Sequence, residues 1–375
     1  MKDTRSITRA VDGFLNAITM YRLVLYILGF LLLVAGVYCV LGILPYNVVA
    51  FGYTTAVLIA VCWITNRIFA GTFRVPTNVE SAFISALILA LIVTPARSIH
   101  DLLFVVWVAV WAMASKYIVA INRKHVFNPV AFAVALTALT VNQTASWWVG
   151  NLPMLPFVVL CAILIVRKTR RSDLVFSFIG TAAATILVFS FVNRSDALAA
   201  LEKTALYSPL FFFAGVILTE PLTMPPTRKL QIVYGAIVGF LFVPQVHLGA
   251  FYFTPELAIL IGNVYSYFVS PKARLVLRLK EKRLIGPNLY DLVFTPPKGL
   301  AFEPGQYMEW TLGHAHPDSR GNRRYFTLAS SPTEKDLVLG VKFYEDSSSF
   351  KKAMLAMNRQ SEIVASQLAG DFVLP

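Results

Sequence analysis

Near the C-terminus, the run Arg324-Tyr325-Phe326-Thr327-Leu328-Ala329-Ser330-Ser331-Pro332 combines a guanidinium, aromatic rings and hydroxyls in a short apolar segment. A guanidinium fork pairs with phosphate oxygens, a ring lies flat on an isoalloxazine, and a hydroxyl bonds a ring nitrogen. An Arg, an aromatic and a hydroxyl residue on alternating strand positions would therefore build one face of a flavin site. Downstream, Ser347-Ser348-Ser349 precedes the helix-like FKKAMLAM, a cluster that caps a helix whose first amides can receive a phosphate. A second polar concentration lies in the apolar part of the chain. There Asn128-Pro129 and Glu220-Pro221 interrupt helical patterns and expose backbone groups to a cofactor or ion. Glu220, Thr219 and Thr223, with Arg228 and Lys229 nearby, form the densest polar patch of that part. Polar groups at membrane depth point to function, and the competing reading is a capped, charge-balanced helix end.

The elements that must position these residues follow from composition. Of 375 residues, 57% are hydrophobic and 14% charged, the balance of a polytopic membrane protein. Apolar runs at about 22–43, 48–66, 80–95, 101–118, 128–146, 150–167, 173–192, 204–220, 229–246 and 250–270 predict about ten transmembrane helices. The net charge of +13 is spread through short loops, which excludes nucleic-acid binding as its purpose. Arg67, Arg74, Lys116, Arg123, Lys124, Arg167, Lys168, Arg170, Arg171, Arg228, Lys229, Lys272 and Arg274 fall on one side of that topology. By the positive-inside rule both termini are cytoplasmic, in a multi-pass protein of the cell membrane. The basic stretch 1–21 (Lys2, Arg5, Arg9) reads as a cytoplasmic lead-in. Ser81–Pro95 is echoed by Ser208–Pro221 and 127–136 by 253–262, which predicts an inverted repeat of five helices plus five. Cys39, Cys62 and Cys161 are isolated in separate apolar runs, so no metal site is expected. His100, His125, His247, His314 and His316 do not pair at helical spacing, so no haem is expected.

The membrane domain is placed at 22–270. From about Val276 the pattern changes to period-two alternation with turns at Gly-Pro-Asn, Pro-Pro-Lys-Gly and Glu-Pro-Gly, five or six short strands suited to a small antiparallel β-barrel at 271–375.

Four features of this tail carry a resemblance: Pro304-Gly305-Gln306-Tyr307, the Arg324–Thr327 segment with Ala329-Ser330-Ser331-Pro332, the serine cluster, and the closing Gly370–Pro375. Their order and spacing resemble the FAD-binding barrel of ferredoxin–NADP reductase-type flavoproteins. The resemblance implies an FAD site at Arg324, Tyr325, Phe326, Thr327, Ser348 and Ser349. Arg324 would meet the pyrophosphate, Phe326 would stack on the ring where the family usually has Tyr, Thr327 would bond the ring, and the two serines would contact phosphate. That family continues into a nicotinamide-nucleotide domain. No G-x-G-x-x-G element occurs here, so the chain is expected to be a fragment, or to receive electrons from a reductase partner. The stretches ESAFISALILALIVTP, Lys116 with HVFNPVAF, and LTEPLTMPPTRKLQIVYG resemble a second family, the RnfD/NqrB subunits of flavin-containing electron-transfer complexes. Its covalent-FMN motif is absent from the short loop 141–151, which leaves a non-covalent FMN open and marks Glu220, Thr223 and Asn128 as a flavin or ion patch. Together the resemblances imply a membrane oxidoreductase that moves electrons from NAD(P)H through FAD to a flavin or quinone. The alternative is an ion or solute channel or transporter with a redox-sensing flavin domain.

Overall fold

The computed structural model describes residues 11–73, 79–121, 124–269, 275–297, 300–318 and 321–370. The expectations for Lys2, Arg5, Arg9, Arg74, Arg123, Lys272, Arg274 and the closing residues 371–375 lie outside these.

After helical residues 11–17, the apolar part runs through α1 (Met20–Val40), α2 (Val48–Thr72), α3 (Val79–Ile92) and α4 (Ile99–Ile118). A two-residue hairpin, β1 (Ala120–Ile121) with β2 (Lys124–His125), leads into α5 (Pro129–Val141), α6 (Leu155–Thr169) and α7 (Ser172–Val192). Next come α8 (Ala197–Tyr207), the short α9 (Leu210–Phe212) continued by a π-helix at Phe213–Ile217, and α10 (Arg228–Phe242). A second small hairpin, β3 (His247–Leu248) with β4 (Phe251–Tyr252), precedes α11 (Pro255–Val269). The local rules are visible at the helix starts. Thr19, Asn47 and Asp196 accept amide hydrogen bonds at N-caps, and Ser98 with Asp101 closes a capping box.

Every predicted apolar run contains a helix, but ten full spans do not result. Among the described residues, four helices (α1, α2, α4 and α7) are long and apolar enough to cross a membrane, and α8 with Leu210–Ile217 makes a fifth if that pair, bent by 62°, counts as one. The α3, α5, α6, α10 and α11 helices have 13–15 residues. At 1.5 Å per residue they measure about 20–22 Å, short of a ~30 Å hydrocarbon core. The run lengths misled because apolar sequence continues through irregular backbone. Residues 93–97 leave α3 as coil, and Trp147 and Val149 donate their amides to the end of that helix, to Ile92 O and Leu91 O. The two stretches matched as a repeat are also built differently, a regular α-helix at Val79–Ile92 against an α-turn and π-helix at 210–217.

Helix packing depends on fit, since lipid gives no hydrophobic gain to a helix contact. Gly235 on α10 lies so close to α7 that a Cβ there would sit 2.6 Å from Leu174 O, and Gly239, one turn on, abuts Phe178 O. This small-x-x-x-small spacing lets Phe178, Phe213 and Phe242 cluster with ring centroids 5.1–5.4 Å apart.

The tail is a six-stranded antiparallel sheet with strand order β8-β7-β10-β5-β6-β9. The strands are β5 (Leu275–Gly286), β6 (Leu289–Phe294), β7 (Tyr307–Thr311), β8 (Arg323–Thr327), β9 (Leu337–Lys342) and β10 (Glu362–Ala369), with α12 (Ser349–Ala356) between β9 and β10. Alternation explains the core. Leu275, Leu277 and Leu279 of β5 face inward while Val276, Arg278 and Lys280 face out, and Trp310, Leu339, Phe350 and Met354 fill the centre. The expected closed barrel is not formed among the described residues. No ladder joins the edge strands β8 and β9. Past the end of β8, Ala329 N donates to Val338 O and Val338 N donates to Ser330 Oγ.

Candidate functional site

Strand β8 is an edge strand paired with β7, and its register sorts the residues predicted to act together. Tyr307, Glu309 and Thr311 stand opposite Thr327, Tyr325 and Arg323, while Met308 and Trp310 stand opposite Phe326 and Arg324. The alternation therefore divides the predicted set between two faces. Arg324 and Phe326 turn toward α12. Phe326 lies at 26° to Phe350 with centroids 6.1 Å apart, and the Arg324 guanidinium sits 5.2 Å from the same ring. Arg323, Tyr325 and Thr327 form the other face, and it is this triple that places an Arg, an aromatic and a hydroxyl on alternating positions.

On the α12 side, both Asp318 carboxylate oxygens accept from Arg324 Nη2 at 2.7 Å, and Arg324 Nη1 also donates to Gly321 O and Arg323 O. Asp318 N donates to Ser349 Oγ, which also contacts His314 Nε2 at 3.1 Å. Ser348 caps α12, its Oγ accepting from Lys351 N. The guanidinium and the serine-capped helix start are thus brought together, with Asp318 between them.

The other face opens into a cleft of about 790 Å³ between the sheet and the helical part. Tyr307, Glu309, Arg323, Arg324, Tyr325, Thr327 and Gln367 line its sheet wall, and Thr19, Tyr21, Arg22, Glu80, Pro221 and Met224 belong to the opposite wall. Glu309 is the buried anchor of the sheet wall. Its side chain is 4% exposed, accepts from Tyr325 Oη at 2.9 Å and lies 3.5 Å from Arg323. Arg323 in turn covers the ring of Tyr21, at the start of α1, at 5.2 Å. Burial alone would lower the Arg323 pKa, but Tyr21 and Glu309 reverse this and hold it firmly charged. Burial of the phenol end, then the Glu309 carboxylate, pushes Tyr325 ionisation far above the usual phenol range. Tyr325 as a whole residue remains 52% exposed, its ring set edge-to-face against Tyr307 at 5.7 Å. Glu309, Arg323, Tyr21 and Asp318 were not singled out from sequence. The available signal was Glu309, a carboxylate on the same strand face as Tyr307 and Thr311.

In the helical part the structure does join Asn128, Glu220 and Thr223. Asn128 Nδ2 and Thr223 Oγ1 donate to Glu220 Oε2 at 2.9 and 3.0 Å, and His125 Nε2 is 3.8 Å from Oε1. Asn263 of α11, missed from sequence, ties the group together. Its Oδ1 accepts from Asn128 N at 2.8 Å, and its Nδ2 donates to Tyr234 Oη and Thr223 O. Lys116 Nζ donates to Ser81 O, Ser81 Oγ and Ser85 Oγ, each at 3.1 Å. The helix breaks at 128 and 220 are thus fastened by side chains that satisfy backbone groups no water could reach. The loop after Glu220 runs into the cleft at Pro221 and Met224.

The fit to FAD can be judged on this geometry. The cleft volume falls within the range of small-molecule sites. Arg324 Nη2 already grips an oxyanion, the Asp318 carboxylate, on the α12 side of the strand, while Tyr325 and Thr327 come to the cleft from the other face, and all three belong to its lining. These β8 residues fit the group. Phe326, Ser348 and Ser349 do not line the cleft, and both serine hydroxyls are engaged within the fold. Among the described residues, no group of three His, Cys, Asp or Glu side chains is placed to hold a metal ion.

Comparison with known proteins adds the following. Residues 148–273 match the sequence model of the NQR2, RnfD, RnfE family, so this part of the chain is similar to those membrane subunits. A search of curated proteins found no match. Among solved structures, the flavohem-like FAD/NAD binding domain of nitric oxide dioxygenase from Vibrio cholerae O1 biovar El Tor shares 19% identity. That match covers 27% of this chain and 45% of that one, with a TM-score of 0.23. Ferredoxin-NADP+ reductase from Plasmodium falciparum shares 20% over 28% of this chain and 43% of that one, also at a TM-score of 0.23. Flavohemoglobin from Malassezia yamatoensis shares 13% over 86% of this chain and 63% of that one, at 0.27. The chain thus spans less than half the length of the first two structures, and overlaps this low establish neither its fold nor its chemistry.

Proposed function

We propose that this chain is a membrane-bound, flavin-dependent oxidoreductase of 22–270 and 271–375. It would transfer electrons between NAD(P)H, met directly or through a reductase partner, and a quinone or a second, non-covalent flavin such as FMN at the membrane. One observation supports this reading above the rest: a single cleft is walled by the motif residues Arg324, Tyr325 and Thr327 on one side and by Tyr21, Pro221 and Met224 of the helical part on the other. FAD, when bound, supplies two-electron acceptance and one-electron release. Arg324 would hold its phosphates, and Thr327 would bond its ring. Arg323 joins the two walls, its guanidinium 5.2 Å from the Tyr21 ring on α1 and 3.5 Å from Glu309 on the sheet. The basic groups Arg22, Lys168 and Arg171 line the same cleft, which supports a cytosolic position for the sheet and for both termini in a cell membrane.

The test uses the purified full chain in detergent, supplied with FAD under anaerobic conditions. The chain should be yellow, bleach with dithionite, and regain colour on adding a short-chain quinone. A folded chain that stays colourless overturns the proposal. A second reading, ion or solute passage with the sheet as a redox sensor, is favoured by the buried polar groups Glu256, Asn263 and Ser266 on one face of α11. Flux across vesicles carrying the chain, with no quinone-dependent recovery of colour, would select it.

A further inference from the structure

We infer that Gln367 is a contact residue for a neutral ring carbonyl in the cleft, and that this carbonyl belongs to the quinone acceptor. This deepens the proposed function and rests on its premise that a quinone takes the electrons. The signal is an irregularity in β10. Ser366 stands opposite Glu309 and Ala369 opposite Tyr307, so three steps along β10 match two along β7 and one residue is extra. Regular alternation would turn Gln367 to the core side with Met308. The bulge brings it into the cleft wall instead, as bulges re-aim side chains beside functional sites.

This placement has two unfavourable consequences that nothing in the sheet offsets. Gln367 holds a φ of +55°, a left-handed conformation that glycine adopts freely and a residue with a Cβ does not. Its Nε2 is shielded from solvent and has no hydrogen-bond partner among the described residues, although a buried amide donor normally finds one. A ligand oxygen in the cleft satisfies this donor. The surroundings select the kind of oxygen. Ile18, Met224 and Pro225 of the helical wall, with Leu368 and Ala369 next to Gln367, belong to the same lining and are apolar. An uncharged donor among such groups suits a neutral carbonyl on an apolar body, whereas a phosphate is drawn to a guanidinium such as Arg324. A quinone headgroup has that form, and the helical wall brings the cleft to the membrane part.

A short-chain quinone is titrated calorimetrically into the detergent-solubilised full chain, with melting temperature and FAD content measured alongside. Wild type should bind the quinone. Gln367→Gly removes the amide and the strained Cβ together. It should bind the quinone about two- to tenfold more weakly, the scale of one neutral hydrogen bond, and melt a few degrees higher. Gln367→Leu should weaken binding to the same extent without the gain in melting temperature. Gln367→Asn, an amide on a residue that tolerates positive φ, should recover part of the affinity. FAD content should follow the wild type in all three. Unchanged quinone affinity in Gln367→Gly and Gln367→Leu, a Gln367→Gly chain that melts below wild type, or loss of FAD in place of quinone overturns the inference and leaves the flavin chemistry standing. A folded wild-type chain that takes up neither FAD nor quinone overturns both.

Discussion

Replacing Asp318 with Asn tests whether the Arg324 fork is a phosphate site. In the structure both carboxylate oxygens lie 2.7 Å from Arg324 Nη2, and the two side chains are 11% and 27% exposed. Hydrogen bonds to charged groups contribute about 1.5–3 kcal/mol when shielded, and a neutral amide retains about 1 kcal/mol of that. With Asp318 partly wet, the net loss is about 1–2 kcal/mol of fold stability. A phosphate arriving at the same fork must displace the carboxylate, so the same 1–2 kcal/mol opposes FAD binding in the wild type. Asp318→Asn should therefore act in opposite directions, lowering the melting temperature while tightening FAD by about five- to thirtyfold. Calorimetric titration of FAD into the full chain, paired with a thermal melt, reads both. A lower melting temperature with unchanged or weaker FAD binding would refute the phosphate role of Arg324.

Three further outcomes are expected. Asn263→Leu leaves the buried Asn128 amide and the Tyr234 hydroxyl without their partner, so it should destabilise the helical part by about 2–4 kcal/mol, read by thermal melting in detergent. Gly235→Val drives a side chain into Leu174 O and should prevent α7 and α10 from packing, seen as loss of monodisperse protein in size exclusion. Tyr325 ionises at higher pH folded than unfolded, where its pKa is about 10. The stability it contributes is therefore intact below pH ~10 and lost as pH climbs further. Tyr325→Phe should flatten that alkaline decline in a chemical-denaturation series and leave the behaviour at pH 5–9 unchanged.

Much of the organisation was legible because two periodicities are hard to mistake. Long apolar runs located most helices of the membrane part, though α8 at Ala197–Tyr207 falls largely between two of them, and the change to alternation near Val276 located the strands. Span counting failed because apolar composition does not report where a helix ends. Pro129 and Pro221 marked two breaks, but the coil after Ile92 held by Trp147 and Val149 leaves no local signature. Asn128, Glu220 and Thr223 were found because Pro and polar residues coincide within an apolar run, whereas Asn263 is a lone amide in a helix and gave no such cue. The β8 motif was legible, but the division of its residues between two strand faces was not. A one-residue shift exchanges the faces of a strand, and only the pairing of Tyr307 with Thr327 fixes the register. Asp318 and Arg323 became visible only when a loop and the helical part were brought to the strand.

The most direct measurement is the FAD content of the purified full chain set beside that of Arg324→Ala, by extraction and mass analysis, with insertion checked by membrane fractionation. One FAD per wild-type chain, largely lost in an Arg324→Ala variant that still inserts, is the predicted result. Absence of FAD from the folded wild type, or its full retention in the variant, would contradict the account.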